Sequence, residues 1–319
     1  MTIKTLVVGL GNIGMGYDYN YEEGILTHCK ASLIHEDFDL IGAVDISPDK
    51  CALFSNKYGK KSYHNIEEAI ECEKPELIII SVDTTYHYDL CKKALACQTV
   101  KVILCEKPFT FSVKNSTELH NLAKKRGVKI LVNYMRNFDP DIISTIQKIK
   151  AGSLGHPLEV FCWYTKDYFT NASHIIALLS EFMGSFISTR IIEKGKLKSS
   201  DTSLNFHIEY ENGNAFFNNY DNDNFTILDM HILGTKGKIE FLNGGTKIKE
   251  FETRSSSQYN ERVLKLKDNS ILDMNNWQLN VMQNISDFIN FNSSIKYGGE
   301  DAISVLKILK EVRSGANAK

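Results

Sequence analysis

The stretch "TLVVGLGNIG" is a short apolar strand that runs into Gly9, Gly11 and Gly14, spaced as GxGxxG. Three glycines at the mouth of a strand restrict the fold severely. The first permits a tight turn and the second lets the backbone approach a pyrophosphate. The third permits close packing of the next segment, with helix N-terminal amides facing the anion. Asn12 and Ile13 fall inside the same cradle. An acid ends the second strand, Asp45 in "GAVDIS". A carboxylate there can accept hydrogen bonds from both ribose hydroxyls and would repel the 2′-phosphate of NADP, so the spacing predicts NAD. A chance glycine turn beside a loop acid is the plainer reading; strand, glycines and acid in register outweigh it.

The first part of the chain alternates strands ("TLVVGLG", "FDLIGAVD", "LIIISVD", "KVILCEK", "KILVNYM") with helical stretches ("IEEAIECE", "YHYDLCKKALAC", "NSTELHNLAKKRG"). That alternation predicts an α/β domain with a doubly wound parallel sheet over residues 1–135. "KVILCEKPFT" is a strand buried on both faces that must stop at Pro108, leaving Glu106 and Lys107 at the carboxyl edge where such sheets bind ligands. The path from Gly14 to Asp45 is longer than the roughly 20 residues usual for this unit. "MGYDYNYEEG" therefore reads as an insertion at about 15–24, with helix resuming near "LTHCKASLIHE". Tyr17, Asp18, Tyr19 and Tyr21 either flank the cofactor or ride a surface excursion.

From residue 136 to 319 the pattern changes. "PDIISTIQKIKAGSLG" is an amphipathic helix stopping near Gly152, "LEVFCWYTKDY" a strand, and "SHIIALLSEFMG" a helix capped by Gly184. Strand signals then crowd together. Asn212-Gly213 marks a type I′ hairpin and Asn243-Gly244-Gly245 a second turn. With late helices at "NWQLNVMQNISDFINF" and "DAISVLKILKEVRS", this is an α+β domain with a mostly antiparallel sheet.

Composition narrows the function. The 319 residues carry a formal net charge of −2, which gives no support to a nucleic-acid partner. No apolar run reaches the roughly 20 residues that cross a bilayer. "MTIKTLVVGLGNIG" has no cleavage-site pattern. The seven cysteines lack CxxC pairs, so a reduced, cytoplasmic protein is expected and a zinc site is not.

With GLGNIG, "CEKPFT", "KAGSLG", Ser173-His174 opening a helix and "HILGTKGKIEF" in this order, the chain resembles the Gfo/Idh/MocA family of NAD(P)-dependent dehydrogenases and reductases. The resemblance implies a Rossmann domain followed by an open-sheet domain that serves oligomer contacts, as a dimer or tetramer, and a last helix that can pack back on the first domain. It implies that Lys107 reaches between the nicotinamide ring and the substrate oxygen, where an ammonium stabilises developing negative charge. Glu106 either orients Lys107 or contacts the nicotinamide ribose. His174 matches the family histidine that exchanges the hydroxyl proton, its position at a helix N-terminus favouring a neutral ring.

The usual aspartate of Asp-x-Gly-x-His is Thr170 here. A subgroup encoded among bacterial surface-polysaccharide genes looks closer, through Asn133-Tyr134-Met135-Arg136-Asn137-Phe138-Asp139-Pro140 and Tyr164 to His174. By that resemblance Tyr134, Arg136, Lys166 and Asn171 become candidate substrate contacts. The third-strand motif appears as Ser81-Val82-Asp83-Thr84-Thr85-Tyr86-His87, placing Ser81, Val82 and His87 at the cofactor; Asp83 has no assigned role. His28 recurs in the same subgroup, with a helix-surface position equally compatible. His231, Phe216, Phe217 and Tyr220 suit sheet packing. The reading is an NAD-dependent oxidoreductase acting on a small sugar-like substrate, such as a nucleotide or amino sugar of surface glycans. An imine or enol-ether reductase and a non-catalytic NAD(P)-binding sensor are the alternatives.

Overall fold

β1 (Ile3–Val8) is buried along its length except at Lys4, and it delivers the chain to the glycine loop. The computed structural model describes residues 2–21, 23–198, 201–220, 224–258 and 260–317, without the side chains of 194–198, 201, 202, 316 and 317. Glu22, within the predicted insertion, lies outside the described residues. After the glycines the chain makes only a π-helical turn at Asn12–Gly16, in which the Gly16 N–H donates to the Gly11 carbonyl. α1 (His28–Ile34) starts where Thr27 Oγ1 accepts the Lys30 N–H. The expected interruption is therefore present, and helix resumes at the expected place.

β2 (Phe38–Val44), α2 (Pro48–Tyr58), β3 (Lys61–Tyr63), α3 (Ile66–Glu73), β4 (Leu77–Ile80), α4 (His87–Ala96), β5 (Val102–Cys105), α5 (Val113–Arg126) and β6 (Lys129–Val132) come next. They form a six-stranded sheet in the order β3-β2-β1-β4-β5-β6, parallel at every pairing. Every residue of β4 and β5 is buried, as continuous apolar runs require when helices cover both faces. The order reverses between β1 and β4, and a doubly wound sheet opens its ligand crevice at that switch point. The three-residue β3 is too short for a pattern to announce.

The chain continues through α6 (Pro140–Lys150), β7 (Leu158–Tyr164), α7 (Ser173–Leu179), β8 (Phe186–Lys198), β9 (Asp201–Tyr210), β10 (Gly213–Asn219), β11 (Leu228–Gly234), β12 (Gly237–Leu242), β13 (Lys247–Ser255) and β14 (Arg262–Ile271). Their eight-stranded sheet runs β14-β13-β12-β11-β7-β10-β9-β8 and is antiparallel except between β7 and β10. Burial alternates along β7, β11 and β12, so one face is core and the other open. On the core face Phe206 and Phe217 stack 4.4 Å apart. On the open face Phe161 stacks on Phe216 at 5.3 Å, beside Trp163 and His231.

Three expectations need correction. The β9–β10 hairpin pairs Tyr210 with Gly213, so Glu211 and Asn212 form the turn and Gly213 opens the strand. Gly213 is needed because a Cβ there would sit 1.8 Å from the Leu158 carbonyl oxygen, across the parallel pairing. α7 stops at Leu179, well before Gly184. β14 is not among the predicted strands: its alternation is confined to Leu264-Lys265-Leu266-Lys267, and as an edge strand it is exposed along nearly its whole length.

α8 (Trp277–Phe291) and α9 (Gly299–Asn317) close the chain. Two compact units result: Met1–Asp139 with Met274–Leu306, and Pro140–Asp273 with Lys307–Lys319. In the first, Tyr297 and Gly298 add to β6, where the Val132 N–H donates to the Tyr297 carbonyl. No helix among the described residues is long and apolar enough to cross a membrane.

Candidate active site

The glycine loop is built around contacts that forbid side chains. Gly9 has φ +101°, and a Cβ on it would lie 2.7 Å from the Ser81 carbonyl oxygen. A Cβ on Gly14 would lie 2.0 Å from the Gly9 carbonyl oxygen. A Cβ on Gly11 would meet nothing within 4 Å. The outer glycines are thus explained by the protein itself, whereas the middle one faces space that a pyrophosphate would fill. The Ser81 hydroxyl ties the loop to β4 by donating to the carbonyls of Val8 (3.1 Å) and Gly9 (2.9 Å). Asn12 is exposed and Ile13 half-buried in the π-helical turn.

Asp45 directly follows β2 and is 9% exposed. Its carboxylate accepts the Leu10 N–H at 2.7 Å and the Ser47 N–H at 2.9 Å, locking the loop to the second strand. Lys50 stands 3.9 Å away. Gly9, Gly11, Asp45, Ser81 and Val82 line a cavity of about 580 Å³. The donor set, the open space at Gly11 and the cavity's position fit a dinucleotide. Asp83 also borders this cavity; its carboxylate caps the turn at 84–86 by accepting the Thr85 N–H, and the Thr85 hydroxyl first and that N–H second hold it below the usual range. None of Tyr17, Asp18, Tyr19 and Tyr21 lines it. His87 does not line it either: the ring is fully buried, 3.1 Å from the carbonyl oxygens of Val82, Pro108 and Phe109. It clamps the segment after β4 to the segment after β5.

At the end of β5, Glu106 and Lys107 are half-buried. His28 Nε2 lies 2.9 Å from Glu106 Oε1, the Asn133 amide donates to the same oxygen at 2.6 Å, and the Lys107 N–H donates to Oε2 at 3.3 Å. Burial alone would raise the Glu106 carboxyl, but the His28 bond, the Asn133 bond and the Lys107 charge more than offset it, so it stays below the usual carboxylate range. Asn133 also donates to Gln278 Oε1 at 3.3 Å. Beside this network the Trp277 N–H donates to Asp139, and the Arg136 guanidinium lies 4.9 Å over the Trp277 ring. Burial pulls Arg136 down to about 10, so it remains a cation at neutral pH. Tyr134 is buried with its ring 4.9 Å from Tyr297. His28, Gln278 and Trp277 had no assigned function in the sequence. A histidine just after a capping threonine was the available signal for the first, and none existed for the others.

In the second unit, Lys166 is exposed with φ +62°, and its carbonyl accepts the Asn219 amide at 2.9 Å. Asn171 donates its amide to the Thr165 carbonyl at 2.8 Å, fastening the loop around Lys166. His174 is the second residue of α7 and 7% exposed. The backbone is already helical from Tyr168, in a turn capped by Asp167, so His174 does not sit at a free helix end as expected. Asp167 accepts both the N–H and the hydroxyl of Thr170, which stands where the family aspartate is usual.

A doubly wound parallel sheet with this glycine loop and strand-ending acid defines a dinucleotide-binding Rossmann protein. Residues 3–134 match the model of the oxidoreductase family, NAD-binding Rossmann fold. That match covers the NAD-binding part of the chain, whose family model is that of the Gfo/Idh/MocA oxidoreductases. It is 28% identical over 166 residues to scyllo-inositol 2-dehydrogenase (NAD(+)) of Bacillus subtilis, covering 52% of this chain and 45% of that protein. The chain spans less than half the length of the curated relatives it matches. Among solved structures, a putative NADPH-dependent oxidoreductase from Desulfitobacterium hafniense superposes with TM-score 0.81 at 15% identity, over 100% of this chain and 96% of that one. The WlbA dehydrogenase of Bordetella pertussis, in complex with NADH and UDP-GlcNAcA, gives 0.79 at 12% identity, over 99% and 96%.

Proposed function

We propose that this protein is an NAD-dependent oxidoreductase acting on a hydroxyl or keto carbon of a sugar derivative, with a nucleotide or amino sugar of surface glycans as the leading substrate class. The observation that carries the reading is the pair at the end of β5: a lysine beside an anchored, ionised glutamate, on the sheet edge that also carries the glycine loop. The likeness to a scyllo-inositol dehydrogenase and the fold shared with a protein holding UDP-GlcNAcA support the substrate class.

Gly9, Gly11, Asn12, Ile13 and Gly14 would hold the pyrophosphate, and Asp45 the adenosine ribose. Ser81, Val82 and Glu106 would border the remainder. When bound, the nicotinamide supplies or accepts the hydride. The Lys107 ammonium stabilises negative charge on the substrate oxygen, and His174 gives or takes that oxygen's proton. Arg136, Lys166, Asn171 and Tyr134 form the substrate side. Residues 1–135 serve as cofactor domain and 136–319 as substrate domain, apart from Met274–Leu306, which belong to the first compact unit, with the open face of the second sheet pairing copies into a dimer or tetramer.

The test is NADH oxidation over a panel of keto-sugars and their nucleotide-linked forms. Lys107→Ala should lower turnover on the best substrate roughly 100-fold or more while NADH affinity holds, the scale seen when one oxyanion donor is lost. A Lys107→Ala variant with full turnover overturns the assignment. Binding of NADH with no oxidation across the panel overturns the enzyme reading.

A further inference from the structure

We propose that His28 is a positioning residue for Glu106 and Lys107: its imidazole, with the Asn133 amide, holds Glu106 as a fixed anion that in turn grips the main chain of Lys107. The proposal rests on the oxidoreductase reading of Lys107.

His28 is the first residue of α1 and only 1% exposed, so the helix-surface reading of it does not hold. A carboxylate can only accept, so the ring places its N–H on Nε2 and donates to Glu106 Oε1 at 2.9 Å. The Asn133 amide donates to that same oxygen at 2.6 Å, and Oε2 takes the Lys107 N–H at 3.3 Å. Three of its about four lone-pair directions are taken, which fixes the carboxylate's orientation. Of the two roles considered for Glu106, orienting Lys107 is the one an observed bond supports, through the Lys107 N–H. Asn133 and Gln278, each 2% exposed, back the arrangement from behind, where no water can compete for the bonds.

The insertion carries His28 to this place. Asp18 is fully buried and accepts the Leu26 N–H (2.7 Å), the Thr27 N–H (2.9 Å) and the Thr27 hydroxyl (2.7 Å). Those two residues immediately precede His28. Lys30 donates to the Tyr21 carbonyl at 2.8 Å, closing the same excursion from the helix side. A mere surface loop has no need of a buried carboxylate at its base. The tyrosine-rich insertion is the chain that sets the start of α1, and so the reach of His28 toward the end of β5.

The experiment uses the full chain with carboxyl-¹³C glutamate, Glu106 being assigned by its loss in Glu106→Gln. In the native protein the Glu106 signal should remain that of a carboxylate as pH falls through the usual glutamate range. In His28→Phe its midpoint should rise by about one unit or more, while His28→Gln, which keeps a donor, should stay near the native value. A folded His28→Phe protein with an unmoved Glu106 midpoint overturns the proposal. If His28→Phe does not fold by circular dichroism, His28→Ala gives the same decision. With a sugar substrate in hand, His28→Phe should lower kcat about tenfold or more and leave KM for NADH within about twofold; unchanged kcat also overturns it. Should the native protein oxidise no NADH on any keto-sugar, the oxidoreductase reading falls, and the carboxyl titration still decides whether His28 holds Glu106.

Discussion

Two acids stand at the carboxyl edge of the same parallel sheet, and they are held in different ways. Asp45, after β2, takes its hydrogen bonds from backbone N–H groups of Leu10 and Ser47. Glu106, after β5, takes two of its three from side chains, His28 and Asn133. A backbone donor comes with the fold and has no substitute, so Asp45 is secured wherever the loop forms. Its carboxylate offers about four lone-pair directions, and two remain for a ribose. Side-chain donors must instead be brought from elsewhere in the sequence. The contrast separates an acid that completes a cradle from an acid that is tuned to serve a neighbour.

The largest effect should come from Glu106. Glu106→Gln keeps the shape, removes the charge and turns one oxygen into a donor facing the donors of its partners. Turnover should fall on the order of 100-fold, from a misplaced Lys107, with NADH affinity within about twofold. Steady-state kinetics beside NADH fluorescence separates the two. If affinity falls and kcat holds, Glu106 is a second cradle acid and the contrast fails. The same variant tests the pH behaviour. The folded carboxyl sits below its ordinary 4.5, so its stabilising contribution is present above that pH and is lost as pH falls through the folded value. Urea midpoints should therefore drop more steeply with acid in the native protein than in Glu106→Gln.

Next in size is Asp45→Ala. Losing two charge-assisted bonds to a ribose corresponds to about 2 kcal/mol, or roughly 30-fold in NAD affinity. Loosening of the loop, through the freed Leu10 and Ser47 N–H groups, would weaken NAD and NADP alike. The ratio of the two affinities isolates the ribose contact, and it should move toward NADP. A native protein that already binds NADP more tightly would break the assignment of Asp45.

That asymmetry also governs how much was legible in the sequence. Runs such as Leu77–Ile80 and Val102–Cys105 announce buried parallel strands, because burial on both faces leaves no polar position. Gly9, Gly14 and Asp45 belong to one strand–turn–helix–strand unit of characteristic spacing, so spacing alone located them, although what excludes a side chain at Gly9 is the distant Ser81. Glu106 and Lys107 were located too, but not what holds them: His28 is 78 positions away and Gln278 lies 145 positions from Asn133. No local period encodes such a meeting. The β9–β10 turn shows the same limit at short range. Asn212-Gly213 has turn chemistry, yet a neighbouring strand, β7, claims Gly213 by approaching its backbone and shifts the turn by one residue.

The smallest effect sharpens the contrast from the cradle's side. Gly11 has φ −75°, which any residue adopts, and nothing lies within 4 Å of a Cβ built on it. Gly11→Ala should leave thermal stability unchanged within about 0.5 kcal/mol, as a surface substitution would. Its methyl group would instead press on whatever occupies the space, costing about 1 kcal/mol, or roughly fivefold in NAD affinity. Gly14→Ala is the control. Its Cβ would meet the Gly9 carbonyl oxygen at 2.0 Å, so the fold itself must give way and the melting temperature should fall. If both variants lose stability alike, the middle glycine is there for the protein and the cradle has no separate ligand face. If Gly11→Ala weakens NAD in a fully stable protein, the space beside Gly11 belongs to the cofactor.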